Sequence, residues 1–261
     1  MPLAAETILV TGASRGLGLE FVRQILQLPT APEILIAACR NPSSAIDLQN
    51  LAKGNPSLRV IKLDVEKDED IISAAQQTKK IIGERGLNLL INNAGIYFRQ
   101  DGSELRTQSR ENMQRHFNVN CSGEFAVCTI IMSQKFLPLL EQAAAQNNSQ
   151  AMSCSKAALV NLSSIKGSLN ETYKNGRGTF LHYKCSKSAE TMATILISRE
   201  LRGAGILAFA LHPGWVRTAM GTKEADLSPE ESITGCLQVI GSQGEESAGK
   251  LLNYNGDVIP F

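Results

Sequence analysis

The chain has 261 residues, 43% of them hydrophobic, with 26 Lys and Arg against 25 Asp and Glu. That length suits one large α/β domain spanning residues 1–261, and a net charge of +1 gives no reason to expect nucleic acid or an anionic membrane surface as partner. No apolar run approaches the roughly 18 residues of a spanning helix, the first residues lack the basic and apolar regions of a signal peptide, and the six cysteines hold no C-x-x-C pair. A cytoplasmic protein with reduced thiols is expected.

Taken in chain order, short apolar runs alternate with helical patterns. Residues 7–10 read as a strand and 17–28 as a helix closed by Pro29. Further strands are expected at 33–38, 58–63, 87–91, 157–162 and 206–211. Runs that are apolar on both faces suit strands buried between helix layers. The alternation predicts a Rossmann-type, doubly wound α/β fold: a mostly parallel sheet of about seven strands with helices on both faces. The mixed-sign run Glu66-Lys67-Asp68-Glu69-Asp70 is expected to open a helix, with acids at its N-terminus. The segment after Pro213, to about Glu246, shows no strand and is rich in Gly and Ser; it reads as a mobile lid.

The first turn, VTGASRGLG, fits two chemistries. Gly12-Ala13-Ser14-Arg15-Gly16 matches G-x-S-x-G, the elbow that presents a nucleophilic serine. Only nine residues precede Val10, however, so no upstream loop supplies an oxyanion hole. A cofactor cradle explains more. Gly12 permits the tight turn, Gly16 lets the backbone approach a pyrophosphate, and Gly18 lets the helix pack near the sheet. The helix N-terminus then offers N–H groups and partial positive charge. A bare strand-to-helix turn without ligand is the plain alternative. At the end of the second strand, Cys39-Arg40-Asn41 carries no acid to accept the 2′-hydroxyl of NAD. Arg40 and Arg15 are suited instead to clamp a 2′-phosphate, which favours NADPH; two solvated surface arginines are the alternative.

Tyr183-Lys184-Cys185-Ser186-Lys187 is a Y-x-x-x-K. On a helix, i and i+4 share a face. An unperturbed tyrosine titrates near 10, and a neighbouring ammonium lowers that value, which suits Tyr183 as a general acid for a carbonyl. Upstream, Ser163-Ser164 ends a strand with two hydroxyls, one of which would hydrogen-bond the substrate oxygen. His182, adjacent to Tyr183, does not share its face and reads as structural. His116 and His212 look isolated, and no spacing resembles a metal site. Cys185 points elsewhere and reads as inert.

Together these stretches resemble the short-chain dehydrogenase/reductase family over almost the whole chain. The matching pieces are TGASRGLG, Leu63-Asp64-Val65, Asn92-Asn93-Ala94-Gly95, Asn118-Val119-Asn120, Ser163-Ser164, Tyr183 with Lys187, and Pro213-Gly214-Trp215-Val216-Arg217-Thr218. Within that family the chain looks like the sniffer-type carbonyl reductases, NADPH-dependent enzymes of the cytosol, through CRNPSSA, LHPGWVRTAMG and the ending NYNGDVIPF. The resemblance implies Tyr183 as proton donor, Lys187 as ribose ligand and Tyr183 activator, and Ser164 as the hydroxyl orienting the carbonyl, with Ser163 second. It implies that Asn120 holds a water linking Lys187 to solvent. Gly12, Ser14, Arg15, Gly16, Leu17, Gly18 and Arg40 would line the phosphates, and Asp64 and Val65 the adenine. Asn92, Ala94 and Gly95 would border the cofactor channel, with Pro213, Gly214, Val216 and Thr218 beside the nicotinamide and its phosphates.

One departure is the polar segment 165–182, longer than in common family members, read as a loop over the substrate mouth. Tyr173, Phe180, Tyr97 and Trp215 are candidates for its wall; Tyr173 and Phe180 could as readily be surface residues, and Trp215 core. The expected function is reduction of an aldehyde, ketone or quinone; an NADPH-binding redox sensor with little turnover is the competing class. A small-molecule substrate is expected, without nucleic acid or membrane. Family members commonly dimerise through the helices after the fourth and fifth strands. Stretches 125–140 and 188–201 are apolar enough for a homodimer, or for a core-facing stripe.

Overall fold

The computed structural model describes residues 3–97, 104–120, 128–176 and 178–261. In chain order the elements are β1 (Thr7–Thr11), α1 (Gly16–Leu26), β2 (Ile34–Cys39), α2 (Ile46–Gly54), β3 (Leu58–Lys62), α3 (Asp68–Ile82), β4 (Leu89–Asn92) and α4 (Arg110–Asn120). The second half adds α5 (Cys128–Gln146), β5 (Ala158–Leu162), α6 (Leu169–Asn175), α7 (Leu181–Leu201), β6 (Leu207–His212), α8 (Pro229–Ser242), β7 (Leu251–Asn253) and β8 (Val258–Ile259).

The strands form one sheet in the order β3-β2-β1-β4-β5-β6-β7-β8. Every neighbouring pair is parallel except β7 with β8. The doubly wound parallel sheet read from the sequence is therefore present, with eight strands rather than about seven. Strands β7 and β8 span three and two residues, too short to display a hydrophobic period.

Alternation along each strand feeds two cores. Ile8 and Val10 of β1 and Leu35 and Ala37 of β2 join Phe21, Ile25 and Phe209 on one face. Leu9, Ile36 and Leu90 meet Ile71, Met132, Phe136 and Leu140 on the other. This is why the strands are apolar on both faces: no side of β1 sees water. Each fully buried large side chain contributes about 1.5–3 kcal/mol.

Helix ends follow local chemistry. Helix α3 opens with Asp68, Glu69 and Asp70 and closes with Lys79 and Lys80, both matched to the helix dipole. It stops at Gly83, whose φ of 60° suits a residue without Cβ.

Two sequence expectations are corrected. The supposed lid holds helix α8, started by a capping box between Ser228 and Glu231 with Pro229 in its first turn, and packed through Ile233, Cys236, Leu237 and Ile240. The stretch 213–228 before it is non-helical, and it is stapled by a Val216–Leu227 bridge and by Arg217 donating to Ala225 O and Asp226 O. The segment 165–182 is likewise not a plain loop. It contains a one-turn 3-10 helix, Ile165–Gly167, and α6, capped by Ser168, whose Oγ accepts from Glu171 N.

Candidate active site

Because the strands run parallel, Thr11, Cys39, Asn92, Leu162 and His212 end on one edge of the sheet. The order reverses between β1 and β4, whose chain connections leave in opposite directions, so a crevice opens above their ends. The turn after β1 forms its floor. Gly12 and Gly16 have φ of 66° and 55°. Thr11 Oγ1, fully buried, accepts from Asn93 N and Ala94 N, both at 3.0 Å, while Asn93 Nδ2 donates to Thr11 O at 2.8 Å. The glycine turn and the Asn-Asn-Ala-Gly turn are thus bonded into one unit.

This unit fits a phosphate-bearing nucleotide. A Cβ on Gly16 would meet nothing within 4 Å, so open space lies beside the helix start. Arg15, at the N-cap of α1, makes no side-chain cap, leaving the first-turn N–H groups for an anion. Ser14 and Leu17 are half-buried in the same turn. Asn92 Oδ1 is buried without a partner, while Asn92 Nδ2 donates to Asn161 Oδ1 at 2.9 Å. Arg15 and Arg40 are exposed, the latter directly after β2. Asp64 and Val65 follow β3, half-buried and buried. Gly95 lies against Asn120, whose Oδ1 would stand 3.3 Å from an added Cβ. Among the described residues no cluster of His, Cys, Asp and Glu could hold a metal ion.

The hydroxyls and the Tyr–Lys pair come from β5 and α7. Successive residues of an extended chain face opposite ways. Ser163 Oγ accordingly meets Thr191 Oγ1 at 3.2 Å inside α7, whereas Ser164 Oγ accepts from Lys166 N at 3.1 Å. Tyr183 lies in the first turn of α7, half-buried, with its ring 4.9 Å from that of Tyr97. Phe180, in a left-handed conformation (φ 62°), precedes α7 and sets its ring edge to Tyr97 at 5.6 Å. Trp215 is 46% exposed and donates from Nε1 to Gly221 O, so it is not core; Tyr173 is 92% exposed. Gly214 has φ 83°, and Pro213 O accepts from Ser232 Oγ. Val216 is buried, and Thr218 Oγ1 accepts from Gly221 N within the same loop.

Lys187 departs from a simple pairing with Tyr183. Its Nζ donates to Leu162 O at 2.8 Å and to Glu190 Oε2 at 2.7 Å, with both side chains almost wholly buried. Asn120 Nδ2 donates to Ile96 O and Ser186 Oγ, and its Oδ1 accepts from Ile96 N. Its protein bonds thus fix the strand-end backbone and α7. Glu190 was missed in the sequence. It lies three residues after Lys187, on the same face of α7, and the signal was an acid among residues that the helix buries.

His116 is not isolated. Its ring stands 4.0 Å from that of His182, and both are fully buried. His116 Nδ1 donates to Asn112 O, and Gln108 Nε2 donates to His182 Nδ1. Burial, with the neighbouring His182 and Arg115, holds His116 at about 4, outweighing its bond to Asn112. Between pH 6.5 and 4 the unfolded chain therefore takes up a proton that the folded protein refuses. Stability falls as pH drops through that window, by about 3 kcal/mol from this residue. Thermal melts should show the midpoint declining from pH 6.5 to 4, with a shallower decline in His116→Gln; an identical slope would refute this.

The model for "short chain dehydrogenase" matches residues 6–228. The structure of the carbonyl reductase Sniffer of D. melanogaster superposes with a TM-score of 0.93 at 33% identity, covering 98% of this chain and 100% of that one. An NADPH-bound carbonyl reductase from chicken fatty liver gives 0.92 at 38% identity, covering 99% and 95%. A norsolorinic acid ketoreductase of Dothistroma septosporum is 28% identical over 269 residues, 98% of this chain and 92% of its own length. With the glycine turn, the Tyr–Lys helix and the strand order already in place, this chain belongs to the short chain dehydrogenase family.

Proposed function

We propose that this protein reduces the carbonyl of an aldehyde, ketone or quinone to an alcohol, with NADPH as cofactor. The observation that supports the reading is that Lys187, one helical turn after Tyr183, donates to Leu162 O two residues before Ser164, on the strand ends from which the uncapped glycine turn also leaves. The similarity to an NADPH-bound carbonyl reductase supports it.

When bound, NADPH supplies the hydride. Tyr183 gives its phenolic proton to the carbonyl oxygen. Lys187 holds positive charge close by, which favours the phenolate that remains. Ser164 Oγ donates to the same oxygen as negative charge develops. Ser163 is turned into α7, which leaves Ser164 the better placed of the two. The first-turn N–H groups from Gly16 to Gly18 would hold the pyrophosphate, with Gly12, Ser14 and Leu17 shaping the turn. Asp64 and Val65 would hold the adenine. Asn92, Ala94 and Gly95 would wall the channel, and Pro213, Gly214, Val216 and Thr218 would border the nicotinamide. Asn120 fixes Ile96 and Ser186 and so holds the channel wall against α7.

Arg40 and Arg15 would clamp the 2′-phosphate. Replacing Arg40 by Asp removes one charge-assisted contact and opposes the phosphate. The Michaelis constant for NADPH is expected to rise about 10–100-fold while that for NADH changes little. An unchanged NADPH constant removes the assignment.

The activity itself is tested by NADPH oxidation against quinones, diketones and aldehydes. Turnover with at least one class is expected. Silence across the panel, alongside measurable NADPH affinity, would point instead to a cofactor-sensing module.

A further inference from the structure

We propose that Glu190 is a positioning residue for the reaction: a buried counter-ion that fixes the Lys187 ammonium and sets the pH at which that ammonium gives up its proton. This rests on the carbonyl-reductase reading above.

Glu190 Oε2 stands 2.7 Å from Lys187 Nζ, and the two side chains are 3% and 6% exposed. Lys187 Nζ also donates to Leu162 O, the last residue of β5, so the ammonium is held between helix and strand end. Thr129 of α5 donates to Glu190 Oε1 at 3.4 Å. Three elements, β5, α5 and α7, therefore meet around one ion pair. A carboxylate given an ammonium and a hydroxyl donor is stabilised in its charged form. Burial pushes the Glu190 carboxyl up, and Lys187 is the main group opposing that.

Packing alone does not account for this arrangement. A buried ion pair costs desolvation, and apolar side chains of the same volume fill such space as well or better. What only a charge supplies here is an electric effect on its neighbours. A fixed negative charge 2.7 Å away makes proton loss harder from Lys187. Removing the charge must let that proton leave at lower pH.

Of the other titratable groups, His212 of β6 lies close enough to feel Lys187 and Lys166 of the 3-10 turn, and Lys184 of α7 feels Lys166. Burial holds His212 and His116 at about 4, so neither changes charge on the alkaline side. Burial and Lys166 lower Lys184, but that contribution is common to the wild type and to variants at position 190.

The test is the pH profile of kcat/KM for carbonyl reduction, measured in excess NADPH. In Glu190→Gln the alkaline limb is expected to move down by about one pH unit or more. Glu190→Met, neutral and without unmet polar atoms, should do the same and carries the measurement if the Gln variant does not fold. Glu190→Asp, which keeps the charge, should restore the limb toward its wild-type position. An alkaline limb identical to wild type in the Gln and Met variants overturns the proposal, whatever happens to the rate. Failure of both to fold overturns it too, since Glu190 would then serve the structure alone. Absence of NADPH-dependent turnover in the wild type is a different result: it defeats the underlying reading.

Discussion

Replacing Tyr183 by Phe should lower carbonyl reduction by about two to four orders of magnitude while leaving NADPH affinity unchanged. The change deletes one oxygen and keeps the ring. The contact with Tyr97 at 4.9 Å and the bond from Ser186 Oγ to the Tyr183 carbonyl both survive, so α7 has no reason to move. What disappears is the proton that the product alcohol requires. Ser164 remains to polarise the carbonyl, which accounts for a residual rate. Steady-state turnover and NADPH fluorescence titration separate the two quantities. Full activity in the variant would remove Tyr183 from the chemistry.

Gly18→Ala carries the second large effect, through binding and stability together. An added Cβ would lie 2.3 Å from Gly12 O and 2.6 Å from Asn93 Nδ2. Neither can withdraw cheaply: one is backbone, and the other already donates to Thr11 O. The turn must open, at about 1–3 kcal/mol for overpacking. NADPH affinity is expected to fall about tenfold or more, since tenfold corresponds to about 1.4 kcal/mol. Gly54→Ala is the control. Its Cβ would meet nothing within 4 Å, and it ends α2, so neither denaturation midpoint nor NADPH affinity should drop. Wild-type binding by Gly18→Ala would show that the turn is not the cradle.

Those parts of the molecule whose chemistry is local were readable before any coordinates. The glycine turn, the acidic start of α3 and the Tyr183–Lys187 spacing each fit within a few consecutive residues, and two-sided burial marked the central strands. Helix α8 was legible too, through Ser228-Pro229-Glu230-Glu231, but its glycines suggested a loop. Gly235 is there for packing: a Cβ would meet Tyr254 O at 2.6 Å. Partnerships that cross the fold could not be read. The His116–His182 ring contact needs α4 laid on α7, and the ion pair of Lys187 with Glu190 is buried where α5 and the end of β5 close over it.

The Thr11 hydroxyl reaches Asn93 across 82 residues of sequence, and β1 has β2 on one side and β4 on the other. The crevice therefore has no partial form. A chain emerging from the ribosome holds a complete glycine fingerprint once Gly18 is made, yet the crevice waits until the fourth strand arrives. Contacts this distant are slow to close, because loop entropy is lost before they form. Nucleotide capture thus waits for the fourth strand, and a nascent fragment ending before residue 89 would carry the fingerprint without the grip.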